Sequence, residues 1–256
     1  MVGRSAAIFG VDEILLFSDI PKQRQARDLS LIGSILSYME TPQYLRKQLF
    51  KIRPDLKYVG VLPPLRTAHH PLPSRIKDLT VGEYREGVVT SSSHDGTLVD
   101  IGVEEYALVR NRKLPINSRV TVKIKQVKEV LEAQATTRDA VGKYWGYRVS
   151  QTESTLGALL RNGGFDLVIA TSKYGKPIRD VSNRLVPRWK TSRGILVAFG
   201  APARGLYDIA RGEHLNLDEI ADFVVNTIPC QEVHTVRTEE ALSVTLGILR
   251  VLTAKG

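Results

Sequence analysis

Residues 197–206 read "VAFGAPARGL": an apolar run that stops at Phe199-Gly200, then a short loop bracketed by Gly200 and Gly205 with Pro202 inside it. Glycine lets another chain segment approach closely, and proline stiffens the backbone around it. The stretch reads as a buried strand that ends at a working loop. It carries neither G-x-G-x-x-G nor G-K-[ST], so it is not one of the common phosphate-gripping loops. Two further runs have the same character, "FDLVIATS" at 165–172 and "DFVVNTI" at 222–228. Short, nearly continuous apolar runs fit parallel strands covered on both faces. The loops that follow are "TSKYGKP" (171–177), "GAPARGL" (200–206) and "PCQEVHTVRTEEA" (229–241). In a parallel α/β sheet they project from the same strand ends, where ligands bind. Glycine, proline and small polar residues suit a ligand held by backbone N–H and C=O groups, such as an adenine edge or an amino-acid moiety. Each loop alone reads equally well as an ordinary βα turn.

On the N-terminal side, "DEILLFSD" (12–19) and "LKYVGVL" (56–62) read as strands, and "RDLSLIGSILSYME" (27–40) as a helix. Thr41-Pro42 restarts a helix through "QYLRKQLF", as N-cap and first-turn proline. The chain closes with a helix over "TEEALSVTLGILRVLTA" (238–254). Leu242, Leu246 and Leu249 share one face, widened by Val244, Ile248 and Val251. Thr238 fits its N-cap, and Glu239 and Glu240 in the first turn favour the helix dipole.

The middle third differs. Between Tyr84 and Arg138 five short strand patterns occur: "YREGVVTSS", "TLVDIGV", "EYALVR", "RVTVKIKQV" and "LEAQATT". His94-Asp95-Gly96 is a hairpin signal, and Pro115–Ser118 a loop. In "VTVKIKQV" apolar and basic residues alternate, so Lys123 and Lys125 share one face and Val122 and Ile124 the other. Five strands in about 55 residues suit a small barrel of the OB type. The simplest organisation is an α/β domain split in sequence, residues 1–81 and 143–256, with a barrel inserted at 82–142.

The chain has 256 residues, 43% of them hydrophobic, and a net charge of +9. Excess Lys and Arg points to a polyanionic partner, nucleic acid first, with a merely basic surface as the other reading. Arg110, Arg112, Lys113, Arg119, Lys123 and Lys125 would ring the barrel for phosphate contact. One cysteine, Cys230, excludes an intrachain disulfide, and it reads as a small packed residue. Without a signal peptide pattern or an apolar run of spanning length, a cytoplasmic protein is expected. His69 and His70 are adjacent and should point different ways, which disfavours a shared metal; they read as a loop or domain-junction pair. No metal site is expected.

Together, "FGAPARGL" and "NTIPCQEVHTVRTEEAL" resemble the S-adenosylmethionine-binding end of the SPOUT methyltransferases, in the archaeal and eukaryotic branch with an inserted OB-like domain. "AAIFGVDEI", "LKYVGVLPPL", "AHHP", "YWGYRV" and "DLVIATSKYG" agree, so the resemblance covers nearly the whole chain. It implies a SPOUT-type parallel sheet with a C-terminal trefoil knot, a homodimer, and methylation of rRNA or tRNA at a base nitrogen or ribose hydroxyl. It implies that S-adenosyl-L-methionine is held by Thr171, Ser172, Phe199, Gly200, Ala201, Pro202, Gly205, Leu206, Ile228, Pro229, Gln231, Val236, Thr238, Glu240 and Ala241. It also implies that Arg4, seven residues before Val11, acts near the target nucleotide, often across the dimer. Two departures stand out: the chain begins inside the helix that a strand and linker usually precede, and Glu232 stands where glycine is common. A degenerate scaffold serving as a non-catalytic RNA-binding assembly factor is the alternative.

Overall fold

The computed structural model describes residues 1–19 and 25–254. Its elements are α1 (Val2–Phe9), β1 (Glu13–Phe17), α2 (Ala26–Glu40), α3 (Gln43–Leu49), β2 (Tyr84–Ser92), β3 (Gly96–Asp100), β4 (Ala107–Arg110), β5 (Arg119–Gln126), β6 (Glu132–Thr136), β7 (Arg148–Thr152), α4 (Leu156–Asn162), β8 (Leu167–Pro177), α5 (Ile178–Thr191), β9 (Ile195–Ala198), α6 (Leu206–Gly212), α7 (Leu217–Ile220), β10 (Phe223–Asn226) and α8 (Thr238–Thr253). The chain divides into two compact units. One comprises Met1–Phe9, Ile14–Gly33 and Val149–Gly256, the other Gly10–Glu13 and Ser34–Arg148.

In the first unit the three apolar runs form a parallel sheet, ordered β10-β8-β9. Successive side chains of a strand point to opposite faces, and β8 uses both. Leu167 and Ile169 pack with Val181 and Leu185 of α5 and Leu249 of α8. Val168 and Ala170 pack with Leu156 of α4, Ile209 of α6 and Leu217 of α7. Both faces are therefore covered, which is why the run is continuous rather than alternating. Each buried Leu, Ile or Val among them contributes roughly 1.5–3 kcal/mol by leaving water. A separate two-stranded sheet pairs β1 with β7. Helix α1 lies against α8, with Ser5 Oγ and Ser243 Oγ 2.6 Å apart.

In the second unit five strands close into a barrel in the order β2-β3-β4-β6-β5. Four neighbouring pairs are antiparallel. A single parallel contact, Leu108 to Glu132, completes the ring. Val89, Val99, Ile101, Val122 and Ile124 fill it and are fully buried. The alternation read in β5 is present: Val122 and Ile124 point inward, Lys123 and Lys125 outward.

Several readings need correction. "LKYVGVL" is not a strand: it forms single 3₁₀ turns at Pro54–Leu56 and Val59–Val61. Pro54 precedes it and Pro63-Pro64 follow, so it cannot extend into a ladder, and Tyr58 and Val61 stand exposed. The N-cap position of α3 is held by Pro42, without a side-chain cap, and that of α8 by Arg237, rather than by Thr41 and Thr238. Thr41 instead donates back to the Ser37 carbonyl. Cys230 is exposed, with φ +58, because it sits at the turn of a loop. Val244 and Val251 do not join the buried stripe of α8; both are exposed in the single chain.

Candidate functional site

The stretch 171–177, read as a loop, belongs instead to the C-terminal half of β8; that half and the loops after β9 and β10 meet around one pocket of about 380 Å³. Thr171 and Ser172 contribute from β8, Phe199, Gly200, Ala201, Pro202 and Gly205 from the second loop, and Ile228, Gln231, Val236, Thr238 and Ala241 from the third. Three residues named beside them do not line it. Leu206 is fully buried in the core. Pro229 is exposed outside the lining. Glu240 accepts from the Arg237 N–H at 3.0 Å, which closes the start of α8.

The loops are tied to one another. Thr238 Oγ1 donates to the Gly200 carbonyl at 3.1 Å, joining α8 to the second loop. Thr171 Oγ1 donates to the Ala198 carbonyl at 2.9 Å, joining β8 to β9. Asn226 Oδ1 accepts from the Ile228 N–H at 2.9 Å, and its Nδ2 donates to the Lys173 carbonyl at 2.9 Å. The two glycines do different things. A Cβ on Gly200 would stand 3.0 Å from the Arg204 carbonyl oxygen and Gly205 Cα, so glycine there lets the loop close on itself. A Cβ on Gly205 would meet only Asp208 Oδ2, at 3.8 Å, so the space beside it is open. The Arg204 guanidinium is directed to the carbonyls of Asp19 (3.0 Å) and Asp208 (3.2 Å). The arginine in the lining thus bonds to the protein's own carbonyls.

Lys173, Tyr174, Tyr207, Asp208, Asn226, Thr227 and His234 also line it. The loop reading contained "TSKYGKP" without singling out Lys173 or Tyr174. Tyr207 is the second residue of α6, where a helical pattern masks its place in the lining. Burial and its bonds to Asp218 raise the Tyr207 phenol above its ordinary value. Arg4 is exposed on α1 and is not part of the lining.

A second pocket, of about 350 Å³, opens on the barrel, where Arg110, Arg112 and Lys125 meet Glu132 and Gln134. Arg110 Nε donates to Glu132 Oε1 at 2.8 Å. Lys113 is exposed outside this pocket, and the Lys123 ammonium lies 5.3 Å from the Tyr84 ring centroid. Arg119 is placed differently from the other five. It reaches Glu40 Oε2 and Glu86 Oε2, both at 2.5 Å, so its charge is neutralised internally. His69 and His70 do not point apart: both Nε2 atoms approach the Glu40 carbonyl, at 2.8 and 2.7 Å. No group of three or more His, Cys, Asp or Glu among the described residues is placed to hold a metal ion. No helix among them is long and apolar enough to cross a membrane.

A parallel sheet in an α/β unit with a pocket at its strand ends, together with a closed five-stranded barrel, defines the class. Residues 1–249 match the family described as "Putative RNA methyltransferase", and the chain belongs to that family. A mouse protein named 28S rRNA (uridine-N(3))-methyltransferase is 33% identical, over 97% of this chain and 69% of its own length. The Drosophila melanogaster protein of the same name is 31% identical over 97% of this chain. This chain spans 56% of that relative's length. An uncharacterized protein of Haloarcula marismortui is 32% identical over 97% of this chain and 89% of its own.

Proposed function

We propose that this chain methylates RNA with S-adenosyl-L-methionine as donor. The observation that carries the reading is the pocket built by the C-terminal half of β8 and the loops after β9 and β10, in a chain of this family. Its volume lies in the range of small-molecule sites, roughly 300–1,000 Å³. The residues fit this donor: backbone groups and Thr and Ser hydroxyls suit an adenine edge, a ribose and an amino acid. Thr171, Ser172, Phe199 to Pro202, Gly205, Ile228, Gln231, Val236, Thr238 and Ala241 would hold it. When bound it supplies an electrophilic methyl group on a sulfonium. The protein contributes orientation and exclusion of water. The names of the animal relatives direct the acceptor to a uridine N3 of large-subunit rRNA. Charge develops on that ring as N3 gives its proton to solvent water, and Arg4 is the residue assigned to stabilise it, from across a homodimer. The C-terminal trefoil knot and the OB identity of the barrel at 82–142 belong to the same reading. The order β2-β3-β4-β6-β5 supports the latter. The exposed barrel cations give affinity and register through phosphates.

Calorimetry of the whole chain with S-adenosylmethionine tests the first step. Transfer of labelled methyl to unmodified large-subunit rRNA transcript, read as 3-methyluridine by nucleoside mass spectrometry, tests the second. Gly205→Val places a branched side chain in the open space beside residue 205 and should abolish both. Absence of binding heat at millimolar donor with folded protein overturns the reading.

A further inference from the structure

The arm that follows Ala170 carries, at the rim of the donor site, a feature that donor binding does not use. Val224 of β10 pairs with Ala170 of β8, but the next residue, Val225, pairs with Lys176. Residues 171–175 therefore leave the ladder and return to it as a five-residue excursion. Its backbone is fixed from several sides. Asn226 Nδ2 holds the Lys173 carbonyl, Lys173 Nζ reaches the His234 carbonyl at 3.5 Å, and the Tyr174 N–H donates to Ser172 Oγ at 3.2 Å. Gly175 is pressed on β10 so closely that a Cβ would stand 2.7 Å from the Val225 carbonyl carbon. On this pinned arm Tyr174 is 74% exposed, and it lines the rim of the donor pocket. Leaving a tyrosine ring in water forgoes a large burial of apolar area. The Lys173 ammonium lies 5.2 Å from the ring centroid, and Lys176 is exposed on the same arm.

We infer that Tyr174 is the stacking platform for an unpaired RNA base at the mouth of the donor pocket, with Lys173 and Lys176 supplying charge for the adjoining phosphates. Sequence-specific RNA recognition works on splayed-out bases stacked on aromatic side chains. An exposed ring on a pinned backbone, flanked by two cations, has that chemistry. A base lying flat on the ring keeps its edge atoms free beside the site of methyl transfer. The inference rests on the RNA methyl-transfer reading above and adds to it the residue that receives the base.

The test uses the whole chain and a decauridylate bearing one 5-iodouridine, which couples under long-wavelength ultraviolet light to an aromatic ring stacked on it. The crosslink should map to the 171–177 peptide. Tyr174→Phe and Tyr174→Trp should retain it. Tyr174→Leu, similar in bulk but without a π face, should lose it. At a salt concentration that suppresses phosphate contacts, Tyr174→Leu should weaken oligouridylate binding about fivefold to 150-fold, the range for removal of one stacked base. Because Tyr174 also borders the donor pocket, crosslinking and oligouridylate binding are measured without S-adenosylmethionine, so that the losses report the stacked base alone. Crosslinks confined to other peptides, or equal affinity of Tyr174→Leu and the parent chain, overturn the inference and leave the RNA reading standing. Failure of the parent chain to bind the oligonucleotide at all overturns both.

Discussion

Glu40, at the end of α2, is 3% exposed and holds three cationic or polar partners: Arg119 at 2.5 Å, Arg138 at 2.6 Å and His69 at 3.1 Å. Glu86 completes the cluster, bonded by Thr121 and Trp145. Burial opposes ionisation of Glu40, but the His69 hydrogen bond and the Arg119 charge outweigh it and bring its carboxyl down to about 2. Burial holds the neighbouring His70 neutral, down to about 4. For both groups the unfolded chain takes up its proton at higher pH than the folded one, so acid destabilises. Stability should fall between about pH 6.5 and 4 as His70 titrates, and again between about 4.5 and 2 as Glu40 does. Glu40→Gln leaves two guanidiniums short of their partner and should cost about 3–5 kcal/mol near neutrality. It should also flatten the lower acid limb in urea unfolding. A variant curve parallel to the parent's at every pH would remove Glu40 from the account. None of this cluster was legible in the sequence, because Arg119 and Glu40 lie 79 positions apart. Six barrel cations looked alike, and only the fold separates Arg119 from the rest.

Among the elements, those declared by periodicity were legible. The three continuous apolar runs became β8, β9 and β10, and the alternation in "VTVKIKQV" became β5 with its two lysines outward. "LKYVGVL" carried the same apolar density without a partner strand, and a ladder is what turns such a run into a strand. The excursion after Ala170 was illegible for a related reason: register belongs to a pair of strands, and one strand's text does not state it. On β5, Lys123 pairs across the barrel with Tyr84 and Gln134. This outward row is proposed to contact RNA phosphates. Lys123→Glu with Lys125→Glu reverses two charges without touching the barrel interior. Affinity for single-stranded RNA should drop, and the salt dependence should lose about 0.7 in log–log slope for each phosphate contact removed. Heat of S-adenosylmethionine binding should stay the same. An unchanged salt slope in the double variant would move the phosphate contacts to other residues.

For the whole molecule, twelve of the fifteen residues assigned to the donor by resemblance line one pocket, while Arg4, assigned to the acceptor, is exposed on α1 away from the lining. The proposed homodimer accounts for that separation. Ile8 on α1 is 64% exposed, and Val244 and Val251 of α8, seven residues apart and so on one helix face, are 42% and 81% exposed. A second copy of this chain is the proposed cover for these side chains, with a two-fold contact as the commonest arrangement. Such an interface can carry the Arg4 of one protomer to the pocket of its partner. A guanidinium keeps its charge and holds an oxygen in fixed geometry. Arg4→Ala should therefore lower methyl transfer by about a hundredfold or more, with donor binding intact. Mixed dimers test the direction of action. Pairing an Arg4→Ala protomer with a Gly205→Val protomer sets the one intact arginine opposite the one intact pocket. Action across the interface predicts that this dimer keeps one working site, and that a dimer with both changes on a single protomer does not. The reverse pattern would place Arg4 on its own protomer's substrate, and full activity in the Arg4→Ala homodimer would take it out of the reaction.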